Sequence, residues 1–290
     1  MNFIMHTFKK TILTTLIFFA FTTATISAEI KKFNMVFVPA SEKGDENDYK
    51  GLVEIVNNLT GFKINFIKVT DYNAAVEAMR AGRADIAWYG GKTYIKATEI
   101  AHAEAFAAGV RPGEKDAGYY TYFVVKKDSE IKKFDDVKGK VLSLNTIGST
   151  SGDLIPQVEL SKINLSTKNK DHFENVFYAG SHDACLLSVI NNQADVCGMS
   201  SRNYEARLED GTFKKEDVRI IHKSNRVPPP PLAYSKMIPI EDRDKIKKAV
   251  LEAHKHGQIG GYGGKMSHYM EVKDSDYNVL REVIELLNKS

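Results

Sequence analysis

The chain has little cysteine, no excess of charge of either sign and few long apolar runs. Cys185 and Cys197 are its only cysteines, which excludes a disulfide-rich scaffold. Both lie in apolar runs, so a disulfide and two buried free thiols remain open alternatives. The 40 Lys and Arg residues nearly balance the 37 Asp and Glu residues. A nearly neutral chain gives no electrostatic reason to expect a nucleic-acid partner.

The longest apolar run lies at the N-terminus and has the pattern of an export signal. Lys9 and Lys10 precede the uncharged stretch Thr11–Ile26, and Ile26-Ser27-Ala28 offers a cleavage site. An uncleaved anchor is the alternative, but the stretch is shorter than the roughly 20 residues that span a bilayer. There is no cysteine near the cleavage site, so a lipoprotein anchor is not expected. We therefore predict a signal peptide over residues 1–28 and an exported, soluble mature chain.

Three consecutive hydroxyl residues, Ser149, Thr150 and Ser151, stand between Gly148 and Gly152. A strand pattern precedes them and a helix pattern follows, with Pro156 in the first turn, where proline is tolerated. Free backbone N–H groups and the positive end of the helix dipole are expected there, which favours an anion site. The loop lacks Lys and Arg, so neutral donors would bind a small tetrahedral oxyanion. The structural alternative is a capping turn.

Strands and helices alternate along the chain, which predicts an α/β fold with largely parallel sheets. The pattern also repeats with a constant offset of 110 residues, so that Tyr72, Asp85 and Tyr94 correspond to His182, Asp195 and Tyr204. Ligands of open α/β sheets bind at the carboxyl ends of the strands. We therefore expect both copies to face one cleft. The four prolines Pro228–Pro231 predict a stiff crossover between the copies.

Several motifs occur together and in order, and they resemble one known family. They are Thr70-Asp71-Tyr72, Ala84–Gly90, Tyr94, Gly148–Gly152 with Pro156, Gly180–Ala184, Ala194-Asp195-Val196 and Pro228–Pro231. The set resembles the phosphonate-binding (phosphate/phosphite/phosphonate) family of periplasmic substrate-binding proteins of ABC transporters, from about Phe33 to the end of the chain.

The resemblance implies a two-lobe periplasmic-binding-protein fold of type II, with two hinge strands and a ligand cleft between the lobes. The expected boundaries are residues 29–118 and 227–290 for lobe 1 and residues 119–226 for lobe 2. The family pattern assigns seven residues to the cleft. The hydroxyls of Ser149, Thr150 and Ser151 and the amides of Ser151–Asp153, that of Gly152 included, would hold phosphonate oxygens, Tyr94 and His182 would donate to them, and Tyr72 would lie at the lip. Arg202 is added from this sequence and would lie near the distal end of the cleft.

The chain departs from the family at the distal end of the cleft. Members that hold aminoalkyl phosphonates place acidic residues around the ammonium group, whereas Met199–Asn203 and Val227–Pro231 contain no carboxylate here. Arg202 would repel an ammonium if it faced the cleft. An aminated ligand is therefore not expected.

The resemblance implies a monomeric binding protein in the periplasm that delivers a small phosphorus oxyanion to an ABC permease and ATPase. No cofactor, metal or catalytic residue is implied. A sensing protein that serves a signalling receptor is the alternative. An exported hydrolase is a weaker one, because Cys185 near His182 lies in an apolar helix without an evident oxyanion hole. Gly91-Lys92-Thr93 fails as a phosphate loop, since Ile86 occupies the position of its first glycine.

Overall fold

The computed structural model describes residues 29–40 and 45–289. The predicted signal peptide lies outside the described residues. None of the helices within these two ranges is both long and apolar enough to cross a membrane.

Strands and helices alternate along most of the described chain. The strands are β1 (Lys32–Phe37), β2 (Lys63–Ile67), β3 (Ile86–Trp88), β4 (Ala103–Val110), β5 (Thr121–Lys126), β6 (Val141–Leu144), β7 (Asn175–Tyr178), β8 (Val196–Ser200), β9 (Val218–Lys223), β10 (Leu232–Ser235), β11 (Ile259–Gly261), β12 (Gly264–Met266) and β13 (His268–Glu271). The helices are α1 (Asp45–Thr60), α2 (Tyr72–Arg80), α3 (Gly91–Ile100), α4 (Ile155–Ser161), α5 (His182–Ile190), α6 (Ser201–Glu209), α7 (Ile240–Glu252) and α8 (Asn278–Lys289).

The strands form two separate mixed sheets, and each is the centre of one lobe. The first lobe holds the six-stranded sheet β13-β4-β10-β3-β1-β2, and the second lobe holds the five-stranded sheet β7-β6-β8-β5-β9. β11 and β12 form a small antiparallel ribbon beside α1. The chain passes between the lobes twice, and the two passages pair where Tyr119 and Val227 exchange backbone hydrogen bonds of 3.1 and 2.8 Å.

The two sheets share one topology, in agreement with the sequence repeat. In each, a first strand pairs in parallel with its two neighbours, and an antiparallel strand follows on one side. The repeated aspartates, Asp85 and Asp195, make equivalent hydrogen bonds to a backbone amide of the first strand of each sheet. Asp85 accepts a hydrogen bond of 2.8 Å from the amide of Asn34, and Asp195 accepts one of 2.8 Å from the amide of Val141. The repeat therefore marks two copies of one structural unit.

Each lobe has its own apolar core. One cluster fills the first lobe on both faces of its sheet, and two smaller clusters cover the two faces of the second sheet. A disulfide joins Cys185 of α5 to Cys197 of β8 inside the second lobe, and both residues are fully buried. This settles the alternative that the sequence left open.

Several elements go beyond what the sequence pattern indicates. The strand β4 is one, since its alanine-rich sequence has little alternation of apolar and polar residues. Met199–Asn203 is the end of β8 and the start of α6. The glycine-rich segment Gly257–Gly264 includes β11, which packs closely against α1. A Cβ atom at Gly260 would lie 2.2 Å from the carbonyl oxygen of Asp48.

Candidate functional site

The hydroxyl loop, Gly148–Gly152, follows β6 after a three-residue connection that starts with the buried Asn145. Ser149 caps the following turn, because its Oγ accepts a hydrogen bond of 3.1 Å from the amide of Gly152. Thr150–Leu154 forms one π-helical turn before α4 begins, a feature that often occurs at functional sites. Ser149, Thr150 and Ser151 are each 2% exposed or less. The loop is therefore a rigid, buried group of neutral donors.

The N-terminus of α3 reaches the hydroxyl loop from the other lobe. The amide of Lys92 donates a hydrogen bond of 2.9 Å to Oγ1 of Thr150. The hydroxyl of Thr93 donates one of 2.9 Å to the carbonyl oxygen of Gly148. A Cβ atom at Gly90 would lie 3.1 Å from Oγ1 of Thr150, so a glycine there allows the close approach. The positive end of the α3 dipole therefore faces the loop.

His182 lies beside Gly152 at the first position of α5. A Cβ atom at Gly152 would lie 3.0 Å from Cε1 of His182 and 2.3 Å from Cβ of Asn145, so this position requires glycine. Nδ1 of His182 accepts a hydrogen bond of 3.3 Å from the amide of Ser200. Burial lowers the pKa of His182 to about 3, so the ring is neutral. Because Nδ1 is an acceptor, the proton is on Nε2, which is a donor.

Two tyrosines complete the group around the loop, and the sequence predicted one of them. Tyr72 packs against both Gly148 and Gly90, as a Cβ atom at those glycines would lie 3.1 and 3.5 Å from Tyr72 carbon atoms. The second is Tyr119, which lies close enough to the side chains of Ser151 and Thr150 for both to lower the pKa of its hydroxyl. Burial raises the pKa of Tyr119, so it stays a neutral phenol. Tyr119 lies where the chain first passes between the lobes, so its approach to the loop depends on the tertiary fold.

Tyr94 is not brought to the loop. Its hydroxyl donates a hydrogen bond of 2.7 Å to Asp274 and accepts one of 3.2 Å from the amide of Ala105. Its ring contacts that of Tyr277, with 4.7 Å between the ring centroids. Burial raises the pKa of Tyr94. The fourth residue of α3 faces the core of the first lobe, so Tyr94 anchors this helix and points away from the cleft.

Arg202 crosses from the second lobe to the first. Its guanidinium donates hydrogen bonds of 2.7 Å to the carbonyl oxygen of Ala117 and 3.1 Å to that of Gly109, and Glu114 lies 3.7 Å away. The residue is 1% exposed. Burial lowers its pKa, but a guanidinium starts so high that it keeps its charge. The side chain thus contacts the backbone of the opposite lobe near the passage at Tyr119.

A buried carboxylate, that of Asp153, balances charge next to the loop. Oδ2 accepts hydrogen bonds of 2.6 Å from Nζ of Lys92 and 3.1 Å from the amide of Gly148. Oδ1 accepts bonds of 2.6 Å from Gln157 and 2.9 Å from the hydroxyl of Tyr178. With four donors around it, Asp153 has little capacity left to accept a hydrogen bond from a ligand.

The assembled group contains Ser149, Thr150, Ser151, Gly152, Tyr72 and His182 from the sequence prediction, with Tyr119 and the N-terminus of α3 added by the structure. Its polar groups are hydroxyls, amides and a neutral imidazole. Within residues 29–40 and 45–289, no cluster of three or more His, Cys, Asp or Glu side chains is arranged to hold a metal ion. Such a set of neutral donors fits a small oxyanion.

Comparison with known proteins agrees with the fold and the motifs. Residues 35–277 match the family model for the periplasmic substrate-binding protein of phosphonate ABC transporters. The chain is 31% identical to the phosphonates-binding periplasmic protein of Escherichia coli, and the match covers 66% of this chain and 60% of that relative. It is 24% identical to the phosphate-import protein of Mycolicibacterium smegmatis, over 86% of this chain and 84% of the relative.

A solved structure supports the same fold. The binding-protein component of an ABC phosphonate transporter from Pseudomonas aeruginosa superposes with a TM-score of 0.78 at 23% identity, covering 90% of this chain and 87% of the other. The predicted two-lobe type II fold is thereby confirmed. The family consists of substrate-binding proteins rather than enzymes. The chain belongs to the family of periplasmic substrate-binding proteins of phosphonate ABC transporters.

Proposed function

We propose that this protein captures a small phosphorus oxyanion between its lobes and delivers it to an ABC importer. The observation that supports this most is the contact of 2.9 Å between the amide of Lys92 and Oγ1 of Thr150. It brings the N-terminus of a first-lobe helix to the hydroxyl loop of the second lobe. An anion placed there receives donors from both lobes, and its binding favours the closed form.

The proposed ligand contacts are the side chains or amides of Ser149, Thr150, Ser151 and Gly152, Nε2–H of His182, and the hydroxyls of Tyr72 and Tyr119. A hydrogen bond to a charged group contributes about 1.5–3 kcal/mol. Five or six of them exceed the cost of association and leave roughly micromolar binding or better. Tyr94 is assigned a supporting role behind α3.

The proposed lobe boundaries follow the two passages at Tyr119 and Val227, with residues 29–118 and 227–290 in lobe 1 and residues 119–226 in lobe 2. We also propose a cleaved signal peptide over residues 1–28 and a periplasmic location, where a disulfide is stable. The Cys185–Cys197 bond removes the free thiol that a cysteine hydrolase would need. The proposed partners are the permease and ATPase of the importer, and the protein is expected to act as a monomer.

The test is to titrate the mature chain, residues 29–290, with methylphosphonate, phosphite and phosphate. Binding is measured by calorimetry and by the shift in melting temperature. Sulfate serves as a control anion. A ligand at about 100 times its dissociation constant adds about 2.7 kcal/mol to the free energy of unfolding. If none of the three phosphorus oxyanions binds more tightly than sulfate, the proposed ligand class is wrong.

Variants at Thr150 test the site. We expect Thr150→Val to weaken binding at least tenfold, because it removes the hydroxyl and keeps the volume, while stability changes little. Thr150→Ser is the matched control, since it keeps the hydroxyl, and it should bind like the wild type within about threefold. Equal affinities of Thr150→Val and wild-type protein would contradict the site assignment.

A further inference from the structure

The side chain of Lys92, whose backbone amide contacts Thr150, crosses the cleft beside the anion site. Its Nζ lies 2.6 Å from Oδ2 of Asp153, and its side chain is 29% exposed, whereas that of Asp153 is 2% exposed. The two residues belong to different lobes. The pair therefore exists when the lobes are in contact and is lost when they separate.

The acceptor of this ion pair is prepared by the second lobe alone. Gly148, Gln157 and Tyr178 all belong to that lobe, and all three donate hydrogen bonds to Asp153. Lobe opening leaves these three bonds in place and returns only the ammonium of Lys92 to water. The carboxylate is thus held in one orientation in both states, which lowers the entropy cost of forming the pair.

In the sequence repeat, Lys92 of the first lobe corresponds to Arg202 of the second lobe. Position 202 is position 92 plus the repeat offset of 110 residues, and each is the second residue of its helix, α3 or α6. Arg202 reaches from the second lobe to carbonyl oxygens of the first. Lys92 reaches from the first lobe to a carboxylate of the second. Two cations therefore connect the lobes in opposite directions.

We propose that the Lys92–Asp153 pair is a closure latch that stabilises the closed form and sets how long a bound oxyanion is retained. The proposal rests on the proposed function for its ligand, but the latch acts on the lobes themselves. Lys92→Met removes the ion pair and keeps the backbone amide that contacts Thr150. The variant therefore changes closure without deleting the α3 donor.

The kinetic test compares Lys92→Met with Lys96→Met by stopped-flow dissociation of methylphosphonate. Lys96 lies on the same helix and donates to Asn73 within its own lobe, so it is a matched control. We expect dissociation to be about five to ten times faster in Lys92→Met and unchanged in Lys96→Met. The association rate should change less than twofold. A variant that associates more slowly but dissociates normally would show that Lys92 only attracts anions, and the latch would be rejected.

A measurement without ligand separates failure of the latch from failure of the proposed function. Spin labels at Glu99→Cys in the first lobe and Lys170→Cys in the second report the distance between the lobes. Without ligand, Lys92→Met should shift the distance distribution toward longer values than wild type, and Lys96→Met should not. Identical distributions for all three proteins would overturn the latch, whichever anion the protein binds. A shift specific to Lys92→Met would support it even if methylphosphonate failed to bind.

Discussion

An amine on the ligand is expected to weaken binding, because a buried positive charge lies close to the anion group. Burial raises the pKa of Tyr119, and the charge of Arg202 opposes that rise. The guanidinium therefore lies within electrostatic range of a hydroxyl that is near Thr150 and Ser151. A ligand that extends past Tyr119 would bring an ammonium toward Arg202.

The magnitude follows from Coulomb's law. Two like charges about 7 Å apart in an effective dielectric of about 20 repel by about 2 kcal/mol. Glu114 lies 3.7 Å from the guanidinium and offsets part of this repulsion. We therefore expect a net penalty smaller than this, on the order of 1.4 kcal/mol, which corresponds to a tenfold loss of affinity.

Calorimetric titrations of the wild-type protein test this directly. We expect 2-aminoethylphosphonate to bind at least ten times more weakly than methylphosphonate or phosphite. Propylphosphonate has nearly the same shape as 2-aminoethylphosphonate but no charge on its chain, so it controls for size. A wild-type protein that prefers 2-aminoethylphosphonate to propylphosphonate would refute the reasoning and show that a carboxylate reaches the ammonium from elsewhere.

Variants at Arg202 assign the effect to charge. Arg202→Met should reduce the discrimination between the aminated ligand and propylphosphonate to less than about threefold, whereas Arg202→Lys should keep it. Arg202→Glu is a poorer test. A carboxylate at this position would face the carbonyl oxygens of Gly109 and Ala117, and like partial charges would oppose lobe closure. Circular dichroism must accompany each variant, since unpaired buried carbonyl groups also cost stability.

Two further predictions concern stability. The pKa of His182 is lowered to about 3 from about 6.5, so its contribution to the free energy of unfolding is present above pH 6.5 and is lost as the pH falls toward 3. Urea unfolding should show that the free energy of unfolding falls by about 2 kcal/mol between pH 7.5 and pH 5, a loss that His182→Gln lacks. Equal losses in both proteins would contradict the buried neutral imidazole. The Cys185–Cys197 bond closes a short segment with a sequence separation of 12, so reduction should lower the free energy of unfolding by about 3 kcal/mol. An unchanged urea midpoint after complete reduction, verified by thiol titration, would show that the bond contributes nothing.

The sequence predicted those parts of the site that are local in the chain. The Gly148–Gly152 loop can be recognised because a strand pattern, two glycines and a proline in the first helical turn stand in one short segment. The helix starts at Asp71 and Ser181 are likewise local, and both side chains cap their helices, with bonds of 2.9 and 3.0 Å to backbone amides. Such features depend on neighbouring residues and are readable without the tertiary fold.

The positions that sequence reasoning missed depend on contacts between distant segments. Tyr119 reaches the loop because the passage between the lobes places it there, and no short-range pattern encodes that path. Arg202 and Lys92 could not be oriented from sequence, since their partners belong to the opposite lobe. The pairing of β4 with β10 and β13 is also non-local. The alanines of β4 are buried in the sheet, whereas alanine is depleted in strands on a propensity scale.

The sequence repeat, together with the position of each residue along its helix, distinguishes residues of the candidate site from residues that pack in the core. Tyr72 and His182 are the first residues of α2 and α5, and both lie against the hydroxyl loop. Tyr94 and Tyr204 are the fourth residues of α3 and α6, and both pack on aromatic rings of their own lobes. A tyrosine repeated in both copies therefore indicates a shared packing position. Where the copies differ, three of the four side chains reach the opposite lobe, namely Tyr72, Lys92 and Arg202, whereas His182 lies beside Gly152 of its own lobe. We therefore expect the ligand chemistry of the cleft to depend on the positions at which the two copies differ.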